Sequence, residues 1–273
     1  MSPRRPLIMG ILNVTPNSFS DGGKFFQTDS AIDHARELIA DGADLIDIGG
    51  ESTRPGSARV DPETEWERIA PVVEQCVAAG MDISVDTLHA STAKRALEAS
   101  VHYINDVSGG LADPEIYRVV ADYPAARYIL GHWRGTPETM NELATYDDVL
   151  TDVARELADL IAAARNAGVR DEQLVVDPGI GFAKNPDHNW QLLAHIERIR
   201  DLGLPVMIGV SRKRFLAELT ERPSEVATDR DLATAVLTAL FAERDLWAVR
   251  VHHPAASRVA LDIVDQLKHA RHV

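Results

Sequence analysis

Eight short apolar runs divide this chain, each closing on polar or turn-forming residues and each followed by a longer amphipathic stretch. The first, Leu7–Leu12, breaks into Asn13 and then a loop of Thr15, Pro16, Asn17, Ser18, Ser20, Asp21, Gly22 and Gly23. The others are Leu45–Ile48, Ile83–Asp86, Tyr103–Asp106, Arg127–Gly131, Leu174–Asp177, Pro205–Val210 and Val249–Val251. Runs this apolar suit strands buried on both faces of a parallel sheet. Between them, helical spacing is expected around Ala31–Ile39, from Asp61-Pro62 to Gly80, and over Ala90–Ala99, Pro114–Asp122 and Asp148–Ala167. Three more helices are expected over Trp190–Leu202, Asp231–Arg244 and Pro254–His269. Eight strand–helix units in about 250 residues predict an α/β fold closed into a single-domain (β/α)8 TIM barrel covering 1–273, with a doubly wound sheet as the alternative.

In such a barrel the residues just past the strands converge on one mouth. Here they are Asn13, Glu51-Ser52, Asp86, Asn105-Asp106, His132, Asp177, Ser211-Arg212-Lys213 and Arg250 with His252. One such residue is an ordinary turn former. A full set of strands ending this way points to a site.

The set divides in two. Arg212, Lys213, Arg214, Arg250 and His252 follow strands seven and eight, where barrels of this type hold phosphate. The chain carries a net charge of −14, so this cluster stands out as an anion site. Asn13 adds an oxygen ligand beside it, and a Mg²⁺ bridging Asn13 to phosphate oxygens is the expected cofactor. Asp86, Asn105 and Asp177 form the second set, suited to the paired N–H groups of a 2-amino-4-oxo pyrimidine edge, with Lys213 donating to the ring carbonyl. Structural ion pairs inside the barrel are the alternative reading of these three.

The acidic balance argues against a nucleic-acid partner. No run approaches the about 20 residues of a membrane span, and the lone Cys76 lies among valines as a core thiol, so a cytoplasmic protein is expected.

Taken in order, MGILNVTPNSFSDGG at Met9–Gly23, DIGGESTRPG at Asp47–Gly56, SVDT at Ser84–Thr87 and INDVSGG at Ile104–Gly110 resemble the dihydropteroate synthases of folate synthesis. DPGIGFAK at Asp177–Lys184, GVSRKRF at Gly209–Phe215 and RVH at Arg250–His252 extend the resemblance over essentially the whole chain. It implies condensation of 6-hydroxymethyl-7,8-dihydropterin diphosphate with p-aminobenzoate, releasing pyrophosphate. Asp86, Asn105, Asp177 and Lys213 would hold the pterin, and Asn13, Arg250 and His252 the diphosphate with Mg²⁺. The loops Val14–Lys24 and Glu51–Val60 would close over the site and build the p-aminobenzoate pocket with Phe19, Thr53, Pro55 and Phe182. Arg54 and Ser211 would also bind substrate, and Asp21 would act in the reactive state. The resemblance also implies a homodimer, sulfonamide competition, and two small-molecule substrates as the only other partners.

Four positions depart from the commonest family pattern: Asn17 for Asp, Arg214 for Ser, His253 for Asp and Gly131 for Met. Three rival readings remain: a pterin-binding methyltransferase barrel, an aldolase using Lys213 as a Schiff base, and a synthase paralogue without catalysis.

Overall fold

A computed structural model describes residues 5–15, 24–51, 59–136, 139–140, 142–219 and 227–271, with the side chains of 24–27 outside that description. The chain alternates as read: β1 (Leu7–Asn13), α1 (Lys24–Ala40), β2 (Leu45–Gly49), α2 (Pro62–Ala78), β3 (Ile83–Asp86) and α3 (Ala90–Glu98). It continues with β4 (Tyr103–Asp106), α4 (Glu115–Ala121), β5 (Arg127–Gly131), α5 (Val149–Asn166) and β6 (Leu174–Asp177). Then come α6 (Pro186–Ala194), α7 (Glu197–Arg200), β7 (Met207–Ile208), α8 (Asp231–Phe241), β8 (Ala248–Val251) and α9 (Pro254–Ala270).

The strands are all parallel, in the order β6-β5-β4-β3-β2-β1-β8-β7. A bridge between Val176 and Val206 brings β6 and β7 together and closes the barrel. That seam is where expectation and structure part. The run Pro205–Val210 yields a strand of only two residues, because Pro205 has no N–H and the chain turns between Val210 and Lys213. The helix expected over Trp190–Leu202 also differs. Asn185 caps it through the His188 N–H at 2.8 Å with Pro186 at the first position, so it starts earlier. His195 then leaves helical geometry (φ −118°, ψ 40°) and splits it into α6 and α7.

Helix starts elsewhere follow their caps. The Asp61 side chain accepts from the Thr64 N–H ahead of α2, and Asp148 accepts from Leu150 and Thr151 ahead of α5. The α5 residues Val149, Val153, Leu157, Leu160, Ile161 and Ala164 are buried against the barrel, the face their spacing predicts. Cys76 is buried in the same outer core, where burial pushes its thiol up to about 11.

A second, smaller core fills the inside of the barrel with Met9, Leu45, Ile129, Val175, Met207 and Ala248. Strand side chains alternate with a period of two, so the next inward positions toward the carboxyl ends are Asp47, Asp177 and Arg250. Asn105 follows from Tyr103, which packs on that core, in the same way. An apolar plug thus carries a polar layer directly above it. Among the described residues no helix is long and apolar enough to cross a membrane.

Candidate active site

Around that polar layer the described site residues from β2, β3, β4, β6, β7 and β8 meet. The Arg250 Nε donates to Asp47 Oδ2 at 2.6 Å and its Nη2 to Asp86 Oδ2 at 2.8 Å. The Asn105 Nδ2 donates to the same Asp47 oxygen at 2.9 Å. Arg250 therefore sits between the two sets expected from the sequence, gripping a carboxylate of the second set. Burial raises the Asp86 carboxyl, and the Arg250 guanidinium opposes that rise. Asp177 is raised by burial as well, with Lys213 opposing, and it accepts the Gly179 N–H at 2.7 Å.

Lys213 lies with its Nζ 4.1 Å from the centre of the Phe182 ring and donates to the Ile180 carbonyl. Burial lowers its ammonium to about 8, against the pull of Asp177. The contact depends on Gly181, where a Cβ would stand 2.5 Å from Lys213 Cδ and the φ is +78°. The loop after β6 and the lysine after β7 are therefore packed as one unit, with Phe182 beside Asn105, Gly131 and Asp177 around a narrow recess. At Gly131 a Cβ would come within 2.7 Å of the Val107 backbone, so this chain closes the β4–β5 gap too tightly for the larger residue frequent there.

Ser211 accepts the His252 N–H at 3.1 Å and pairs with its Nδ1 at 3.0 Å, tying the ends of β7 and β8 together. Asn13 closes β1, half-buried, beside β8. No group of three or more His, Cys, Asp or Glu able to hold a metal exists among the described residues. A lone amide oxygen fits a Mg²⁺ that brings phosphate oxygens and water with it, and does not fit a cage made of protein ligands.

Several residues grouped at the mouth from the sequence do something else. Arg212 is spent on Asp231 at 2.7 Å and 2.8 Å, so it is no part of an anion site. Asp106 turns outward and holds the following turn through Ser108, Gly110 and the Tyr128 hydroxyl. His132 faces Glu156 on α5, with Nε2 and Oε2 2.9 Å apart, and accepts from Lys184 at 2.9 Å. Arg214 is exposed. Phe19, Asp21, Thr53, Arg54, Pro55 and the departure Asn17 lie outside the described residues. Glu51, just past β2, and Arg59, just ahead of α2, form an ion pair at 3.1 Å.

Sequence reasoning missed Asp47 and Lys184. A lone Asp inside Leu45-Ile46-Asp47-Ile48 was the available signal, since a carboxylate in a fully buried strand must have partners. A cavity of about 860 Å³ opens at the other end of the barrel among Arg5, Asp44, Asp82, Arg127 and Trp247. Its lining, Leu7, Leu45, Tyr103 and Arg127 among it, stands at the amino ends of the strands, away from this chemistry.

The sequence matches the pterin-binding enzyme family over residues 9–252. The chain belongs to that family, among its dihydropteroate synthases. A dihydropteroate synthase of Mycobacterium leprae is 44% identical over 270 residues, spanning 96% of this chain and 94% of the relative. A Clostridium difficile dihydropteroate synthase, solved in the presence of pteroic acid, superposes with a TM-score of 0.90 at 36% identity, covering 97% of each chain. The Xanthomonas albilineans dihydropteroate synthase with 4-aminobenzoic acid gives 0.89 at 41% identity, over 98% of this chain and 95% of that one. Family membership makes the chain a transferase of folate synthesis built on a TIM barrel.

Proposed function

We propose that the polar layer divides the family's reaction between its two sides, in one pterin-binding domain. The reaction joins 6-hydroxymethyl-7,8-dihydropterin diphosphate to p-aminobenzoate, giving 7,8-dihydropteroate and pyrophosphate. Asp86, Asn105 and Asp177 take the pterin edge, and Lys213 donates to its ring carbonyl. The observation that carries this reading is the buried Asp86–Arg250–Asp47–Asn105 chain seated on an apolar plug, with Asp177 at the same level. Polar groups buried there are costly unless a ligand of matching polarity uses them.

Arg250 has a guanidinium nitrogen, Nη1, outside these bonds. It faces the leaving diphosphate while the same side chain grips Asp86, and His252, braced by Ser211, stands with it. Asn13 would hold a Mg²⁺ that arrives with the diphosphate, and that ion would neutralise charge developing on the leaving group. The C–O bond to diphosphate breaks, the electron-rich pterin stabilises the methylene left behind, and the arylamine nitrogen adds to it with loss of one proton. The protein orients the weak nucleophile and excludes water, with Phe182 walling the recess. Phe19, Thr53 and Pro55 keep the roles the resemblance implies in the p-aminobenzoate pocket, Arg54 binds substrate and Asp21 acts in the reactive state.

The working form is a homodimer. Leu232, Val236 and Leu240 on α8 and Val259, Ile263 and Leu267 on α9 are all more than half exposed, a continuous apolar face that a second copy would cover. Val236→Asp should convert a dimer to monomers in sedimentation; an unchanged mass would remove that interface. A buried, reduced Cys76 goes with a cytoplasmic location.

The deciding experiment follows pyrophosphate release from the pterin diphosphate with Mg²⁺, with and without p-aminobenzoate. Release that depends on p-aminobenzoate and falls about 10²–10³-fold in Lys213→Ala and Asp177→Asn is expected. Binding of the pterin without release by the wild type would overturn the catalytic reading.

A further inference from the structure

Asp47 lies on the inward face of β2 and is fully buried. Its two oxygens are used unequally. Oδ2 accepts from Asn105 at 2.9 Å and from Arg250 at 2.6 Å, while Oδ1 is buried with no hydrogen-bond partner. A carboxylate facing a guanidinium only accepts, so the Asn105 amide has one allowed orientation, with its NH₂ toward Asp47. The Asn105 carbonyl oxygen is then fixed at a different place. Arg250 is fixed in the same way: with Nε on Asp47, its Nη2 falls on Asp86 Oδ2 and occupies that oxygen. Asp86 Oδ1 takes no part in the bond to Arg250 and keeps both its lone pairs for a ligand.

We propose that Asp47 is a positioning residue that sets the donor–acceptor order with which the mouth reads its heterocycle. It does so through two neighbours at once, by forbidding the flipped Asn105 amide and by locking Arg250 onto a single oxygen of Asp86. The ligand class this order selects is a fused pyrimidine with adjacent N–H donors on the edge facing Asp86 and Asn105. The inference rests on the reading above that these two residues hold the pterin.

Asp47→Asn is the sharp variant, because an amide of the same shape both donates and accepts and so permits either Asn105 orientation. The probes are 6-hydroxymethylpterin and its isomer with the 2-amino and 4-oxo groups exchanged. Calorimetry on Asp47→Asn is expected to show 6-hydroxymethylpterin bound about ten- to a hundredfold more weakly, and the preference over the isomer reduced by about tenfold or more. The KM for p-aminobenzoate should stay within about threefold. Equal weakening toward both probes would overturn the proposal, since a purely structural aspartate would act that way. Should Asp47→Asn fail to fold, the double variant Asp47→Asn/Asn105→Asp keeps the buried charge and the bond between the two positions. It must also change the preference about tenfold, and an unchanged preference would overturn the proposal. Asn105→Ala separates the two layers of the argument. Full pterin affinity there would remove the pterin reading itself, whereas weak binding there beside wild-type behaviour of Asp47→Asn would remove only the role given to Asp47.

Discussion

Two polar chains run through the carboxyl end of this barrel, and they differ in what they leave over. Asp47, Asn105, Arg250 and Asp86 are linked across β2, β4, β8 and β3, yet Asp47 Oδ1 stays unbonded and Arg250 Nη1 is outside the chain's bonds. Lys184, His132, Glu156 and Arg134 form the other chain, and there the ionic donors are consumed. Lys184 Nζ meets His132 Nδ1 at 2.9 Å, Gly179 O at 3.1 Å and Phe182 O at 3.0 Å. The His132 Nε2–H serves Glu156, which leaves Nδ1 as the acceptor for the lysine. Arg134 pairs with Glu156 and lies over the Tyr146 ring at 3.9 Å. A closed network rigidifies a loop; an open one keeps polar atoms for a ligand. The closed chain pins the segment that carries Phe182 against Lys213, so the second network supports the first without reaching the mouth.

Substitutions should pull the two networks apart. Asp86→Asn takes a charge from the open chain and is expected to lower kcat/KM for the pterin diphosphate by about 10²–10³-fold, with the thermal midpoint within about 3 °C of wild type. A collapse of the midpoint instead would make that carboxylate structural. Lys184→Met should reverse the pattern. It strands His132 Nδ1 and two carbonyls, so a loss of about 1–3 kcal/mol and a midpoint lower by several degrees are expected in calorimetry. Turnover should fall less than about tenfold, and a larger fall at unchanged stability would bring Lys184 into the catalytic set.

Lys213, beside the open chain, and the closed chain should also differ in their pH response. Lys213 is lowered by burial to about 8 and is charged below that value, so kcat/KM for the pterin diphosphate should decline as pH rises through 8. Lys213→Arg should remove that alkaline limb, since a guanidinium does not titrate there. Smallest in expected effect is the acid response of the closed chain. Burial, with Lys184 next, holds His132 down to about 4 from 6.5, so its neutral form stabilises the fold fully above 6.5 and that share is lost as pH falls toward 4. Glu156 is depressed by its bonds to His132 and Arg134 against the burial that raises it, and it loses stability in the same direction below its ordinary value of 4.5. Chemical denaturation of His132→Gln should therefore vary less between pH 6.5 and 4 than that of the wild type.

Much of this was legible in the chain. The runs Ile83–Asp86, Tyr103–Asp106, Arg127–Gly131 and Leu174–Asp177 are strands with those same bounds, because a strand buried on both faces announces itself by continuous apolarity. The expected run Pro205–Val210 is longer than β7, since apolarity cannot show that Pro205 lacks an N–H, that Val206 forms an isolated bridge with Val176, and that the chain turns away after Val210. The cap Asn185-Pro186 was a readable start for α6 that apolar spacing alone passed over.

Local sequence thus determined the barrel, the helix starts, and a polar layer at the carboxyl ends of the strands. It did not determine which polar residue meets which. Asn105 faces inward and Asp106 outward by strand parity, yet both looked alike as strand-end residues. Arg212 looked like part of an anion site until α8 brought Asp231 against it. Arg250 and Asp47 are 203 residues apart and meet only when β8 closes beside β1 and the inward layers come level. Hydrophobic periodicity acts over a few residues and is written in the chain, whereas the pairing of buried charges depends on distances that exist only once the barrel has shut.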